Sequence, residues 1–216
     1  GFVSIHGWPD RIPATLFTGY TDVVLPLFTG VALLAALDYR RRTGKGQYLD
    51  LSQLESPIAF LAPVAMDYIV NGREPKRMGN SSIYAVPHGA FRCRGDDRWC
   101  TIAVFTQEEW EAFIVAIGNP EWAKRPEFAT FEGRKGHEEE LNYLVEEWTV
   151  ERTAEEVMHT LQKHKVAAGV VQNTEDLFSD PQLNARDQFW LMDHPVIGPV
   201  RSFNTAYRLS RTPAEL

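Results

Sequence analysis

The sequence predicts an α/β chain in which part of a large α/β domain is followed by a smaller α+β domain. Two very apolar helical segments surround a short alternating stretch before Asn71, and the later segments are shorter and amphipathic. The apolar helices carry more hydrophobic surface than their own segment can cover, which indicates a larger fold. We therefore assign residues 1–71 to the large domain, 72–187 to the small domain and 188–216 to a segment that returns toward the large domain.

Composition and charge exclude several classes of protein. With 44% hydrophobic residues, the 216-residue chain can bury a core without disulfides, and its net charge of −7 argues against a nucleic-acid binder. Cys93 and Cys100 are too few for a disulfide framework, and the amino end shows no secretory signal, so we expect reduced thiols and a cytoplasmic location. The longest apolar stretch, residues 23–37, is shorter than the ~20 residues that cross a membrane, so we expect no membrane span.

The first predicted helix covers residues 23–42 and follows a loop that extends through Thr18. The helix is apolar on nearly all sides, which is typical of a helix buried in a large core. Arginines in its last turn suit the negative end of the helix dipole, and Gly44 is the expected stop. Because Pro26 cannot donate a backbone hydrogen bond, we expect the regular helix to begin near Leu25.

A short strand and a second apolar helix complete this segment. Residues 47–51 alternate between polar and apolar types, as a half-buried strand does. Ser52 is the predicted N-cap of a helix over residues 53–70, and Asn71-Gly72 is its expected end. A polar loop over residues 73–87 leads to the small domain, and loops of this length in compact domains are often functional.

The small domain is predicted to combine a β-hairpin with amphipathic helices. Strands over residues 89–94 and 99–105 flank a turn at Gly95. Thr106 and Thr153 each precede a glutamate by three residues, which is the pattern of a helix capping box. The remaining predicted elements are a helix over 141–148, a strand over 166–171, a short helix that begins at Asp180 and an extended tail over 189–209.

Asp22 is the residue that the pattern alone singles out for chemistry. It precedes the first helix, where an aspartate usually acts as an N-cap that contributes ~1 kcal/mol. With the regular helix beginning near Leu25, Asp22 would lie in a bent approach to it. The positive end of the helix dipole favours an ionised carboxylate there, and such a carboxylate can attack an acyl group. The spacing of His, Cys, Asp and Glu matches no zinc or iron site, so we predict no metal.

Two runs of sequence are distinctive. The first is Gly19-Tyr20-Thr21-Asp22, and the second begins at Leu33 with LLAALDYRRRTGKGQYLDLS. Both runs resemble the class III CoA-transferases, the CaiB/BaiF type that includes the formyl-CoA, carnitine and benzylsuccinate CoA-transferases. In that family an aspartate before the helix is the nucleophile, and the helix ends in an Arg-Thr-Gly-Arg/Lys-Gly-Gln turn that leads to a strand. The resemblance extends over nearly the whole chain, through Pro87-His88-Gly89, Asp97-Arg98-Trp99, residues 118–122 and residues 168–170.

The resemblance implies a Rossmann-like large domain and a smaller α+β domain, with the amino half of the family's length absent from this chain. Asp22 falls on the nucleophile, and Gln53 falls beside the active site. Residues 80–89 match a glycine run that covers the reacting carboxylate in formyl-CoA transferase; here the run reads SSIYAV, which argues against formyl or oxalyl specificity. The expected substrate- or CoA-binding residues are Gln53, Tyr84, His88 and Gly89.

The implied reaction moves CoA from an acyl-CoA to a carboxylic acid, with the CoA thioester as substrate and no permanently bound cofactor. Asp22 would attack the thioester carbonyl to form a mixed anhydride, and the CoA thiolate would then form an aspartyl-CoA thioester that the acceptor acid resolves. The resemblance also implies an interlocked homodimer, or a complementary subunit, as partner. Because family members are about twice as long, we expect the isolated chain to be inactive.

Two other interpretations are open. An α-methylacyl-CoA racemase would share the fold and use an aspartate at the position of Asp22 to carry a proton, together with a histidine from outside this chain. A non-catalytic acyl-CoA-binding or assembly subunit would instead pair with a complete partner. Exchange of the α-hydrogen of a 2-methylacyl-CoA would indicate a racemase, and an unaltered rate after replacement of Asp22 would indicate an assembly subunit.

Overall fold

The computed structural model of the protein describes residues 2–15 and 19–215. The chain forms two compact units, Gly1–Ala85 and Val86–Leu216. Residues 16–18, the end of the predicted amino-terminal loop, lie outside the described residues. The domain boundaries that we place at residues 71 and 187 refer to the family fold and stay predictions.

The first unit is helical throughout its described elements. These are α1 (Phe2–Ile5), α2 (Tyr20–Thr43), α3 (Glu55–Ile58), a 3₁₀ turn (Ala59–Leu61) and α4 (Ala62–Asn71). A helical turn thus forms near the amino end, where we predicted only a loop. The predicted strand over residues 47–51 is wrong, because residues 45–52 contain no helix or strand. The described part of this unit contains no other strand, so the alternating segment has no edge with which to pair.

Helix α2 begins five residues earlier than the expected start near Leu25. Gly19 is its N-cap, and the backbone N–H of Asp22 donates to the Gly19 carbonyl at 2.8 Å. Pro26 lies inside the helix, where its ring removes one backbone hydrogen bond and leaves the first turn intact. The predicted stop is confirmed: Gly44 has a φ of 73°, and its N–H donates to the Arg40 carbonyl at 2.8 Å.

The second predicted helix is interrupted, which corrects the continuous helix expected over residues 53–70. Pro57 lies in α3 and Pro63 lies in the first turn of α4, and neither can donate to the helical ladder. The expected end is confirmed, since Gly72 has a φ of 66° and donates to the Tyr68 carbonyl at 2.9 Å. The predicted N-cap at Ser52 is wrong, because α3 begins after Leu54; Ser52 Oγ instead accepts from the backbone N–H of Glu55 at 3.2 Å across the turn that precedes the helix.

The apolar surface of α2 is largely exposed in this chain, as expected of a helix that carries more hydrophobic surface than its own segment can cover, and the described residues do not supply the large core. Val24 is its only described buried residue, whereas Val31 is 71% and Leu34 is 68% exposed. The helix is longer than the apolar stretch over residues 23–37, because the flanking residues extend α2 to 24 residues, long and apolar enough to cross a bilayer. The core helix of a soluble protein can have the same length and composition, so these two properties do not distinguish a membrane-spanning helix from a core helix.

The second unit contains a three-stranded antiparallel sheet in the order β1 (His88–Arg92), β2 (Trp99–Ala103), β3 (Ala167–Val170). This confirms the predicted hairpin and the later strand. The helices of this unit are α5 (Gln107–Ala116), α6 (Phe131–Gly136), α7 (Glu138–Thr149), α8 (Ala154–Lys163), α9 (Thr174–Ser179) and α10 (Pro181–Ala185). Helix α7 packs on β1, and α8 packs on β2 and β3. The extended tail forms a second antiparallel pair, β4 (Phe189–His194) and β5 (Gly198–Phe203).

The core of the second unit combines aromatic and aliphatic side chains and is framed by capped helices. Both predicted capping boxes form: Thr106 Oγ1 accepts from the Glu109 N–H at 3.2 Å, and Thr153 Oγ1 accepts from the Glu156 N–H at 3.1 Å. The buried ring of Trp110 stacks on a neighbouring phenylalanine of α5, with 5.7 Å between ring centroids. These local signals predict the small domain well because each acts within one turn of chain.

The two cysteines are free thiols, and both are buried in the hairpin region. Burial raises the pKa of the Cys93 thiol from 9.0 to about 11 and that of the Cys100 thiol to about 12. Ionisation therefore disfavours the folded state: the unfolded thiols ionise first, and the free energy of unfolding falls as the pH rises above 9.

We expect both native thiols to react with iodoacetamide at pH 8 about 100-fold or more slowly than in the unfolded chain, because the folded protein holds far less thiolate. Mass spectrometry of timed samples, with and without denaturant, measures this rate. Alkylation of the native protein as fast as that of the denatured protein would contradict the burial.

Candidate functional site

Asp22 lies in the first turn of α2, three residues after the Gly19 N-cap. Its side chain is exposed at the end of the helix where backbone N–H groups are not used by the helical ladder. The helix dipole at this end is positive and favours a negatively charged carboxylate. The sequence correctly places Asp22 at the amino end of the helix, but the expected bent approach outside the regular helix is wrong.

Gln53 contacts Asp22 directly. Its side-chain amide Nε2 donates a short hydrogen bond to Asp22 Oδ1 and a second one to Thr21 Oγ1 at 3.2 Å. Gln53 lies in a turn just before α3, where the hydrogen bond from the Glu55 N–H to Ser52 Oγ holds the backbone. The structure thus joins two residues that are 31 positions apart and that the family resemblance places in one site.

Gly19 provides the space for the carboxylate. A Cβ atom at this position would lie 2.8 Å from Asp22 Cγ and closer still to Oδ2, so only glycine permits the observed side-chain position without a shift. Asp22 Oδ1 therefore faces the Gln53 amide, and Oδ2 lies over the Gly19 backbone. Sequence reasoning did not assign roles to Gly19 and Thr21, although both belong to the Gly19–Asp22 run that carries the resemblance.

The other three predicted residues occupy separate elements. Tyr84 lies in the loop that follows α4, is 71% exposed, and donates its backbone N–H to Ser82 Oγ at 3.1 Å. His88 and Gly89 open strand β1 of the second unit, where they pair with Ala103 and Ile102 of β2. Their predicted contact with substrate or CoA stays a prediction.

The described residues hold no group of three or more His, Cys, Asp or Glu side chains that could bind a metal ion. An open cleft of about 590 Å³ lies in the second unit beside β4 and the carboxyl-terminal segment, with Trp190, Tyr207 and Arg208 among its lining residues. None of the five predicted site residues lines this cleft. The site that the sequence predicts is therefore centred on Asp22 and Gln53 rather than on this cleft.

Comparison with known proteins decides the family. The family model described as "CoA-transferase family III" matches residues 1–216. The chain belongs to this family. The family III chain is also similar in structure to a CaiB/BaiF family protein from Brucella suis, with a TM-score of 0.87 and 30% sequence identity over 100% of this chain and 55% of that one. The predicted fold class, an α/β fold of the CaiB/BaiF type, is confirmed by this likeness.

Curated relatives of the family III chain carry names of succinyl-CoA transferases. It is 30% identical, over 99% of its own length and 53% of the relative's, to succinyl-CoA–D-citramalate CoA-transferase of Chloroflexus aurantiacus. It is also 30% identical to the alpha subunit of succinyl-CoA–L-malate CoA-transferase of the same organism, over 100% of this chain and 50% of that subunit. The chain thus spans about half the length of the curated relatives that it matches.

Proposed function

We propose that this chain provides the nucleophilic carboxylate of a CoA-transferase that moves CoA from succinyl-CoA, or a similar acyl-CoA, to a carboxylic acid. The observation that carries the proposal is the side chain of Asp22, set at the start of α2 and bound by the Gln53 amide. The names of the relatives support succinyl-CoA as donor and a dicarboxylic acid as acceptor. Tyr84, His88 and Gly89 are proposed to contact acyl-CoA.

In the proposed reaction, Asp22 Oδ2 attacks the thioester carbonyl of the donor, and the C–S bond breaks to release CoA thiolate. The thiolate attacks Asp22 Cγ, the Cγ–Oδ2 bond breaks, and the donor acid leaves with that oxygen. The acceptor carboxylate then attacks Cγ of the aspartyl-CoA thioester and releases thiolate. Attack of the thiolate on the acceptor's carbonyl gives the new acyl-CoA and regenerates the Asp22 carboxylate, which now carries one oxygen from the acceptor.

The first turn of α2 is suited to this exchange of acyl groups. Each step forms an oxyanion of similar energy, so the protein contributes mainly by holding the partners in place and by donating hydrogen bonds to the developing charge. Backbone N–H groups at Tyr20 and Thr21, in the first turn, are the proposed donors for the acyl oxygen. The proposed reaction steps require no permanently bound cofactor or metal.

The complete enzyme, by which we mean this chain together with the remaining part of the family's length, is proposed to cover the apolar surface of α2. Side chains with large exposed fractions on α2 and α4 support a covering partner, and they include Leu27, Val31, Leu34, Met66, Ile69 and Val70. That partner is proposed to be the rest of the large domain within an interlocked homodimer, or a complementary subunit. With α2 covered in this way, the enzyme is proposed to be a cytoplasmic protein that uses no membrane.

The 216-residue chain alone is expected to transfer CoA at less than about 1% of the rate of the complete enzyme, because the remainder of the family's length would supply most of the contacts that orient CoA. The measurement is succinyl-CoA consumption with a panel of dicarboxylic acids, by the chain alone and by the complete enzyme at equal concentration. Comparable rates would show that this chain is sufficient and would overturn the expectation.

Isotope transfer tests the proposed function itself. The complete enzyme reacts with succinyl-CoA and an ¹⁸O-labelled acceptor acid, and the reaction is quenched. The protein is then digested, and mass spectrometry measures the mass of the peptide that contains Asp22. The proposal expects ¹⁸O in the Asp22 carboxyl group and, in samples quenched during turnover, acyl or CoA adducts on the same residue. An unlabelled Asp22 with an adduct elsewhere would refute it, and α-hydrogen exchange in a 2-methylacyl-CoA without CoA transfer would indicate a racemase.

A further inference from the structure

The hydrogen bond from Gln53 is made to Asp22 Oδ1, the oxygen on which negative charge develops when a nucleophile adds to Asp22 Cγ. Nε2 donates to Oδ1, whereas Oδ2 lies on the opposite side of the carboxyl group, over Gly19. Resting on the proposed function, we propose that Gln53 keeps Oδ2 free as the attacking oxygen and stabilises the oxyanion that forms at Oδ1 when a nucleophile adds to Asp22 Cγ.

The chemistry separates the two carboxylate oxygens. Oδ2 becomes the bridging oxygen of the mixed anhydride, so Oδ1 becomes the carbonyl oxygen of the aspartyl group. When thiolate adds to Cγ, the electron pair of that carbonyl moves onto Oδ1, and it returns to the C–O bond as the Cγ–Oδ2 bond breaks. A donor already aimed at Oδ1 stabilises this intermediate without reorganisation, as an oxyanion hole does. The acceptor's addition to the aspartyl-CoA thioester places charge on the same atom.

The position of the Gln53 amide is fixed from both sides. Thr21 Oγ1 accepts a second hydrogen bond from Nε2 at 3.2 Å, and the backbone that carries Gln53 is held by the bond between Ser52 Oγ and the Glu55 N–H. The neutral amide donates a hydrogen bond to Asp22 Oδ1 and carries no net charge. A carboxylate at position 53 would instead repel Asp22 at neutral pH.

A purely structural role does not account for this contact. Both side chains are exposed, and the loop of Gln53 is already held by Ser52. A hydrogen bond between exposed groups contributes little to stability, because water replaces it at small cost. Gln53→Ala is therefore expected to leave the melting temperature of the protein nearly unchanged, which separates an effect on the reaction from an effect on folding.

Kinetics of Gln53→Ala in the complete enzyme test the proposal. We expect kcat to fall about 10²-fold, as for the loss of one oxyanion donor, with KM for succinyl-CoA within about threefold of wild type. In samples quenched at early times before acceptor acid is added, the ratio of CoA-modified to succinyl-modified Asp22 should fall, because thiolate addition to Cγ, the step that slows, is then what forms the CoA adduct and no acceptor acid consumes it. Gln53→Glu should be equally slow at pH 7, because an ionised glutamate has no proton to donate to Oδ1.

The control is Asn71→Ala, which removes another exposed amide-to-carboxylate hydrogen bond of the first unit, from Asn71 Nδ2 to Asp67 Oδ1 at 2.6 Å. Its kcat should equal that of wild type. An unchanged kcat or an unchanged ratio of the two adducts in Gln53→Ala would overturn the role of Gln53, even with ¹⁸O transfer to Asp22 intact. Absence of ¹⁸O transfer in wild type would instead refute the proposed function, so the two failures are distinguishable.

Discussion

The Asp22→Asn variant of the complete enzyme is expected to lose at least about 10³-fold in kcat, because a neutral amide is a poor nucleophile toward a thioester. The substitution preserves the shape of a side chain that is exposed in the first turn of α2, so the fold and the binding of acyl-CoA should persist. Steady-state rates with succinyl-CoA give kcat, and isothermal titration with CoA gives the affinity. The expected pattern is loss of turnover with retained binding.

Asp38→Asn is the matched control for this variant. Asp38 is another exposed carboxylate of α2, near the other end of the helix, where it forms a surface ion pair with Arg42 at 3.2 Å. Removing one charge from an exposed pair changes stability little, and kcat should stay at the wild-type value. If Asp22→Asn retained the wild-type rate, the chain would be a binding or assembly subunit rather than the source of the nucleophile.

The second large effect concerns stability. Trp110→Ala is expected to lower the free energy of unfolding of the second unit by about 3–5 kcal/mol, as the loss of a fully buried large aromatic does. The indole is 2% exposed, stacks on Phe113, and has the Arg134 guanidinium 4.7 Å from its ring centroid. Its removal leaves a cavity and takes away the ring that faces a buried cation.

Urea denaturation followed by circular dichroism measures this loss. Tyr143→Ala serves as control, since Tyr143 is a large aromatic on the surface of the same unit, and its removal should cost within about 0.5 kcal/mol. The Phe128 carbonyl also accepts from Arg134 Nη1 at 3.0 Å, which positions the guanidinium independently of the indole. A Trp110→Ala variant as stable as Tyr143→Ala would show that this aromatic cluster is not the core of the unit.

The elements that could be predicted from the sequence are those whose signal acts over a few residues. The capping boxes at Thr106 and Thr153 and the glycine stops at Gly44 and Gly72 form as expected, because each requires only one turn of helix. The apolar pattern over residues 53–70 predicts one continuous helix, but Pro57 and Pro63 divide it, because neither can donate a backbone hydrogen bond to the helical ladder.

The errors concern features that depend on distant parts of the chain. An alternating pattern over residues 47–51 predicts a strand, but a strand needs a neighbour, and none is described in the first unit. The burial of α2 likewise depends on what lies against it. At the candidate site, the resemblance predicts Asp22 and Gln53, whereas the hydrogen bond between them and the space left by Gly19 depend on how the backbone folds and cannot be predicted from the sequence.

Helix α2 carries both the proposed nucleophile at its start and a long exposed apolar face along its length. Assembly and substrate affinity are then linked equilibria on the proposed function. If association of the subunits strengthens the binding of acyl-CoA at the first turn of α2, then bound acyl-CoA must strengthen association by the same free energy. Substrate would thereby act as a ligand of the quaternary state, and dilution would weaken its binding.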